Sequence, residues 1–364
     1  MLAGVFLVRR SWRALGSCPA DGPLLLLALC LCLSLAAGAL QGSLPGLAMP
    51  LATACKQAEY LAGFLIARAV APDWTLERAA RLTFRTAAWL GAAALAERQL
   101  QVLMGIEEIR IRVFSHALWP DQTNHLAGFL ALGAVLGLAL RPQERTRLPF
   151  WIWTGLEGLI LLGLMATGSR GALLATVAGA LVFAAAQRSW KVLAAGILLL
   201  AAGVATQGRG GFTHELVVWQ HSEIRQEAGA PRLPEMERNR LDVWTALRGD
   251  VLRFPLFGAG PGSRNRVFYE SQWVMTLAEG GVLGLAALLL VLIALGRSAI
   301  AAGGALGAAM LGILACVVVQ GFVTETLLVT RIAGPFWLLW GAFLSGRAHP
   351  PPGKLFPCIE TRSQ

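Results

Sequence analysis

Residues 159–183 read LILLGLMATGSRGALLATVAGALVF, two apolar runs joined by a turn of Thr167, Gly168, Ser169, Arg170 and Gly171. Neither run shows a polar face at helical period, so a helix made from either has no side to give to water. The pattern decides the fold because it recurs along the chain. Hydrophobic residues are 56% of the 364 residues and charged ones 14%, with a mean hydropathy of +0.60; soluble chains carry about 25% charge. A soluble fold with long buried helices would keep polar faces at period 3.6, and most runs here have none. The fold class expected is all-α: a polytopic transmembrane helical protein.

A helix crosses the hydrocarbon with roughly 20 mostly apolar residues. About ten such segments lie near 23–40, 47–70, 82–103, 124–140, 148–167, 171–187, 190–206, 271–295, 298–320 and 327–346. The second and third carry Lys56, Glu59, Arg85 and Glu97 and are the most polar. Cytoplasmic loops hold the excess of arginine and lysine. Arg9, Arg10 and Arg13 precede the first span, Arg78 and Arg81 follow the second, and Arg141, Arg145 and Arg147 follow the fourth. Arg188 and Lys191 follow the sixth, Arg297 the eighth, and Arg347, Lys354 and Arg362 the tenth. Every second loop is therefore basic, which places both termini in the cytoplasm.

The expected organisation is a cytoplasmic segment 1–22, spans one to seven over 23–206, an outer loop 207–270 with interfacial helices, spans eight to ten over 271–346, and a cytoplasmic tail 347–364. The net charge of +10 follows from this topology and the long loop, and calls for no nucleic acid. Ala37-Gly38-Ala39 has the small-residue look of a signal cleavage site after the first run, and removal there would leave the later spans oriented as before. Six cysteines show no CxxC and no metal-ligand spacing, so those within spans read as small core residues. The stretch 302–312, AGGALGAAMLG, reads as close helix packing.

The outer face is where chemistry has room. Two stretches look helical: 212–227, whose apolar and polar residues alternate ambiguously and which Pro231 and Pro234 keep from extending, and 238–255, which place Leu241, Trp244, Leu247 and Val251 on one face before Pro255 stops the helix. Arg248 and Arg253 read as interfacial arginines among lipid headgroups. Gly258, Gly260 and Gly262 permit tight turns and close approach of a phosphate to backbone amides. With no preceding strand they are not a dinucleotide fingerprint. Glu270 stands at the mouth of the eighth span and Glu279 inside it, where a carboxylate is costly and calls for a partner. Arg170 falls in a very short outer turn; it reads either as a snorkelling interfacial arginine or as a guanidinium held for a phosphate-bearing headgroup, which its planar fork binds bidentately.

Four segments in order resemble the O-antigen ligase and polymerase family of bacterial membrane glycosyltransferases: PDQTNHLAGFLAL (120–132), TGSRGALLA (167–175), NRLDVW (239–244) with FPLFGAGPGS (254–263), and ESQWVMTLAEGGVLGL (270–285). The resemblance covers roughly residues 110–300. It implies transfer of a glycan from an undecaprenyl pyrophosphate carrier to an acceptor hydroxyl at the periplasmic face of the bacterial inner membrane. Arg170 and Arg240 stand where the family's arginines hold the pyrophosphate. Where the ligases carry a histidine ahead of the AEGG-like segment, this chain has Glu270, which leans the expectation towards a polymerase of repeat units and makes Glu270 the expected general base. Remaining candidates for donor or acceptor contacts are Asn124, His125, Arg264 and Arg266; a histidine beside Asn124 also reads as a satisfied interfacial group.

No cofactor or metal is implied, since preplaced arginines can stabilise the leaving pyrophosphate. The partners implied are the lipid-linked glycan, membrane lipids and a chain-length regulator. Two other classes are weighed. A ligase of the same family would pass finished glycan to lipid A core or to protein. A lipid-linked glycan transporter would show two related halves, and no internal repeat is found.

Overall fold

The computed structural model describes residues 18–44, 46–70, 76–104, 123–144, 149–189, 247–249, 251–263 and 271–348. The expected seventh span, most of the long loop, and both terminal segments lie outside the described residues. Among those described there is no strand. Nine long helices follow one another: α1 (Asp21–Leu40), α2 (Ala48–Val70), α3 (Leu76–Leu103), α4 (Thr123–Glu144), α5 (Phe150–Ala166), α6 (Arg170–Gln187), α7 (Gln272–Ala302), α8 (Gly304–Gln320) and α9 (Thr330–Ala348).

Three of them, α1, α6 and α7, are long and apolar enough to cross a membrane. The apolar stretches of α4, α5 and α8 are shorter, at 124–140, 151–166 and 304–320. Charges interrupt α2 and α3, as Lys56, Glu59, Arg85 and Glu97 foretell. The bundle also turns apolar side chains outward: Leu25, Leu29, Trp89, Trp151, Ile293 and Ile300 are all exposed, a surface that suits hydrocarbon better than water. These are the features of a membrane protein.

Helix ends differ from expectation: α3 begins at Leu76 and so takes in Arg78 and Arg81, α4 runs to Glu144 past Arg141, and the turn after α7 is displaced. The sequence reading turned the chain at Arg297, but α7 continues to Ala302, and the turn is made by Gly303 and Gly304 at φ 64° and 63°. Arginine propagates a helix well, whereas two successive positive φ values favour glycine.

Contacts fix how the helices run. Tyr60 donates to Leu328 O (2.9 Å) and Phe64 meets Trp337 edge-on at 6.0 Å, so α2 and α9 are parallel. Ser34 pairs with Glu279 and Cys30 with Leu283, so α1 and α7 are antiparallel. Close helix approach follows small residues. An added Cβ at Gly179 would lie 2.8 Å from Gly312 O on α8, which bears out close packing at that end of the 302–312 stretch, while its Gly303 and Gly304 make the turn instead. Between α3 and α5, an added Cβ at Gly163 would run into the Gly91 backbone, beside the stacked Phe84 and Trp153 rings (4.3 Å, 12°).

Gly163→Leu is therefore expected to push α3 from α5 and to cost about 1–3 kcal/mol, read as a lowered melting midpoint of the purified protein in detergent. Gly155→Leu on the same helix meets nothing within 4 Å and should leave the midpoint unchanged. Equal midpoints in the two variants would refute that contact.

The far end of the bundle is closed by Arg68 of α2, buried and ion-paired to Asp21 at the start of α1. The other end, here the rim, gathers residues 41–44, 123–126, 167–170, 254–263 and 320–330.

Candidate functional site at the rim

The turn that carries Arg170 is built by short-range bonds. Thr167 donates its hydroxyl to Leu164 O (2.6 Å) and accepts from Ser169 N (3.2 Å). Gly168 takes φ 69°, and Ser169 caps α6 by accepting from Ala172 N (3.4 Å), as serine does at helix starts. Ser169 also donates to Asn124 Oδ1 at 2.7 Å. Gln320 of α8 donates to Asn124 O at 3.2 Å, and an added Cβ at Gly171 would meet the Val323 side chain. Arg170, half-buried as the first residue of α6, is thus set in a rim made by three elements.

Asn124 and His125 join Arg170 there, both half-buried at the start of α4. Arg240, Arg264, Arg266 and Glu270 lie outside the described residues. Ser271, which follows Glu270 in the chain, caps α7 and donates to Gly321 O (3.1 Å). Gln272 N donates to the same carbonyl at 2.7 Å, and Gln272 Oε1 accepts from Leu327 N at 2.8 Å. The start of α7 is therefore fastened to the 320–328 segment that the Arg170 turn also touches. Sequence reasoning missed Gln272 and Gln320. Their signal was present, since an amide side chain within VVVQGF (317–322) is costly in an apolar setting unless it bonds.

Beside this rim, residues 254–263 form a strap across a break in α7. Gly281 sits at φ 65°, ψ −169° inside the helix and frees the carbonyls before it. Ala259 N donates to Ala278 O (2.9 Å), Gly260 N to Glu279 O (3.1 Å), and beyond the break Val282 N donates to Pro255 O (2.9 Å) and Leu283 N to Leu256 O (3.2 Å). Gly262 N donates to the Glu279 carboxylate at 2.9 Å, while the hydroxyl of Ser34 on α1 donates to Glu279 O at 2.5 Å. The three strap glycines were expected to permit tight turns and the approach of a phosphate to backbone amides. The turns are there, with positive φ at all three and Gly258 N donating to Phe254 O at 3.0 Å, while the Gly260 and Gly262 amides pair with Glu279 of α7, where a broken helix offers a carbonyl and a carboxylate as acceptors. The partner that the sequence called for at Glu279 is the Gly262 amide.

Glu279→Ala should leave the Gly262 amide without its acceptor, at about 1–3 kcal/mol, and Glu279→Gln should keep one. Amide exchange over residues 258–263 is the readout, with the alanine variant faster by about tenfold or more. Equal exchange in both variants would remove the carboxylate from the clamp.

On the membrane side of the strap, α1, α2, α7 and α9 enclose a cleft with about 720 Å³ of empty space, part of it open to the surroundings. Its walls are mostly apolar, including Leu27, Leu31, Leu288 and Trp337, but Ser34, Gln57, Tyr60, Gln272, Thr276 and Glu279 also line it. Such a space admits a hydrocarbon chain or an apolar moiety.

Neither a family model nor a curated protein matches the chain.

Proposed function

We propose that this chain is a membrane glycosyltransferase acting on undecaprenyl pyrophosphate-linked glycans at the periplasmic face of the bacterial inner membrane, polymerising repeat units of a surface polysaccharide. The observation that carries the reading is the placement of Arg170. Arg170 is half-buried at the N-terminus of α6, on the rim that the Ser169–Asn124 and Gln320–Asn124 bonds hold together. Helix N-termini and guanidinium groups both recognise phosphate. The basic loops of the sequence put the rim on the outer side of about ten spans, where a lipid-linked donor would present its pyrophosphate.

In this reading Arg170, with Arg240, holds the pyrophosphate. Charge accumulates on the leaving group as the sugar–phosphate bond breaks, and the fixed guanidinium groups stabilise it. Glu270 takes the proton of the acceptor hydroxyl. Asn124, His125, Arg264 and Arg266 contact donor or acceptor. Glutamate rather than histidine at 270 favours polymerase over ligase.

The test is the size distribution of undecaprenyl-linked glycans from a deletion strain. Single repeat units that accumulate would support a polymerase. Long carrier-linked chains left unattached would make the protein a ligase, and carrier glycans unchanged in size and amount would overturn both.

A further inference from the structure

On the other side of the strap from the apolar cleft lies a second cavity of about 450 Å³, partly open, between the end of α1 and residues 253–263. Its walls are chiefly polar, with Gln41, Ser43, Arg253 and Ser263 among them and no carboxylate among the described residues. Arg253 stands over the ring of Phe254 at 5.2 Å, which holds the guanidinium against an aromatic face. The Ser43 hydroxyl is engaged, since it bonds Gly38 O at 3.1 Å and Ala259 O at 2.8 Å. Ser263 Oγ is buried and has no hydrogen-bond partner among the described residues. A permanent cation, a buried hydroxyl with a proton to give and an amide line one space, and together they fit an acceptor-rich anion.

The surroundings narrow the class. Leu40 precedes Gln41 and is 89% exposed; Leu252 precedes Arg253 and is 69% exposed; Leu256 is 58% exposed. A polar, cationic cavity set among bare leucines suits a ligand with a phosphate head and an apolar tail. We infer that this pocket binds the phosphate of an anionic membrane lipid, which would fasten the end of α1 to the strap. The site is separate from Arg170 and does not depend on the proposed reaction.

Full-length protein in nanodiscs of phosphatidylglycerol and phosphatidylethanolamine, released into a native mass spectrometer, reads lipid retention without turnover. Wild type is expected to keep phosphatidylglycerol in preference. Arg253→Gln should weaken that retention about tenfold, the loss of a charge-assisted bond, while Arg253→Lys, which keeps the charge but not the fork, falls between. Ser263→Ala carries the same test if Arg253→Gln lowers the melting midpoint. Equal retention by wild type and Arg253→Gln, or by wild type and Ser263→Ala where that variant is needed, would overturn the inference. Equal retention of the zwitterionic lipid would do the same. Millimolar inorganic phosphate that displaces the lipid would show a free-phosphate site instead, and overturn it too.

Discussion

Arg170→Ala is expected to lower turnover of the lipid-linked glycan by about 10²–10³-fold. The guanidinium stands at the first position of α6, where a phosphate can meet both it and the helix N-terminus. The melting midpoint of the variant, read beside its glycans, separates a loss of rate from a loss of fold. The cap on Ser169, its bond to Asn124 and the contact of Gly171 with Val323 do not involve the arginine side chain. Arg170→Lys keeps the charge and loses the bidentate fork, so it should recover only part of the rate. Carrier glycans in cells would then match those of the deletion strain for alanine and lie between for lysine. An alanine variant with wild-type glycans would return Arg170 to the reading of an interfacial arginine.

The second large effect concerns the fold. Gly281→Leu should destabilise the protein by on the order of 3 kcal/mol or more, because two costs coincide. The backbone at φ 65°, ψ −169° is a region essentially confined to glycine, worth about 1–3 kcal/mol of strain for other residues. A side chain there would also meet the backbone of Leu256 and so lift the strap, with the loss of hydrogen bonds worth about 0.5–1.5 kcal/mol each. Gly280→Ala is the control: nothing lies within 4 Å of its added Cβ, and alanine favours the helix. Melting midpoints in detergent separate the two, and equal midpoints would mean that the strap does not depend on the break.

Some of this architecture was legible in the sequence because its causes are local. The apolar runs around Thr167–Gly171 announced two helices, and the short polar turn between them placed the boundary within a residue. Arg170 could be singled out because charge is conspicuous in such a setting. The break at Gly281 was not legible. AEGG (278–281) reads as an ordinary helical stretch with small residues, and only a strap brought from 20 residues upstream gives the freed carbonyls their partners. The strap glycines were legible as tight turns from their type, but the pairing of the Gly260 and Gly262 amides with Glu279 is a property of the assembled bundle. Gln320 and Asn124 met across 196 residues, which no periodicity reports. The roles of Arg240, Arg264, Arg266 and Glu270 rest on the family resemblance alone.

The clamp on Glu279 also sets an order of manufacture. Ser34 reaches a carbonyl 245 residues later in the chain, and Gly38 packs beneath Ala259. During synthesis α1 therefore emerges with its outer half unmatched and waits while most of the protein is made. Completion of the strap and of α7 is the event that docks the first helix, so a ribosome stalled before residue 283 should yield a chain whose first helix is still able to drift, and to be extracted, from its siblings.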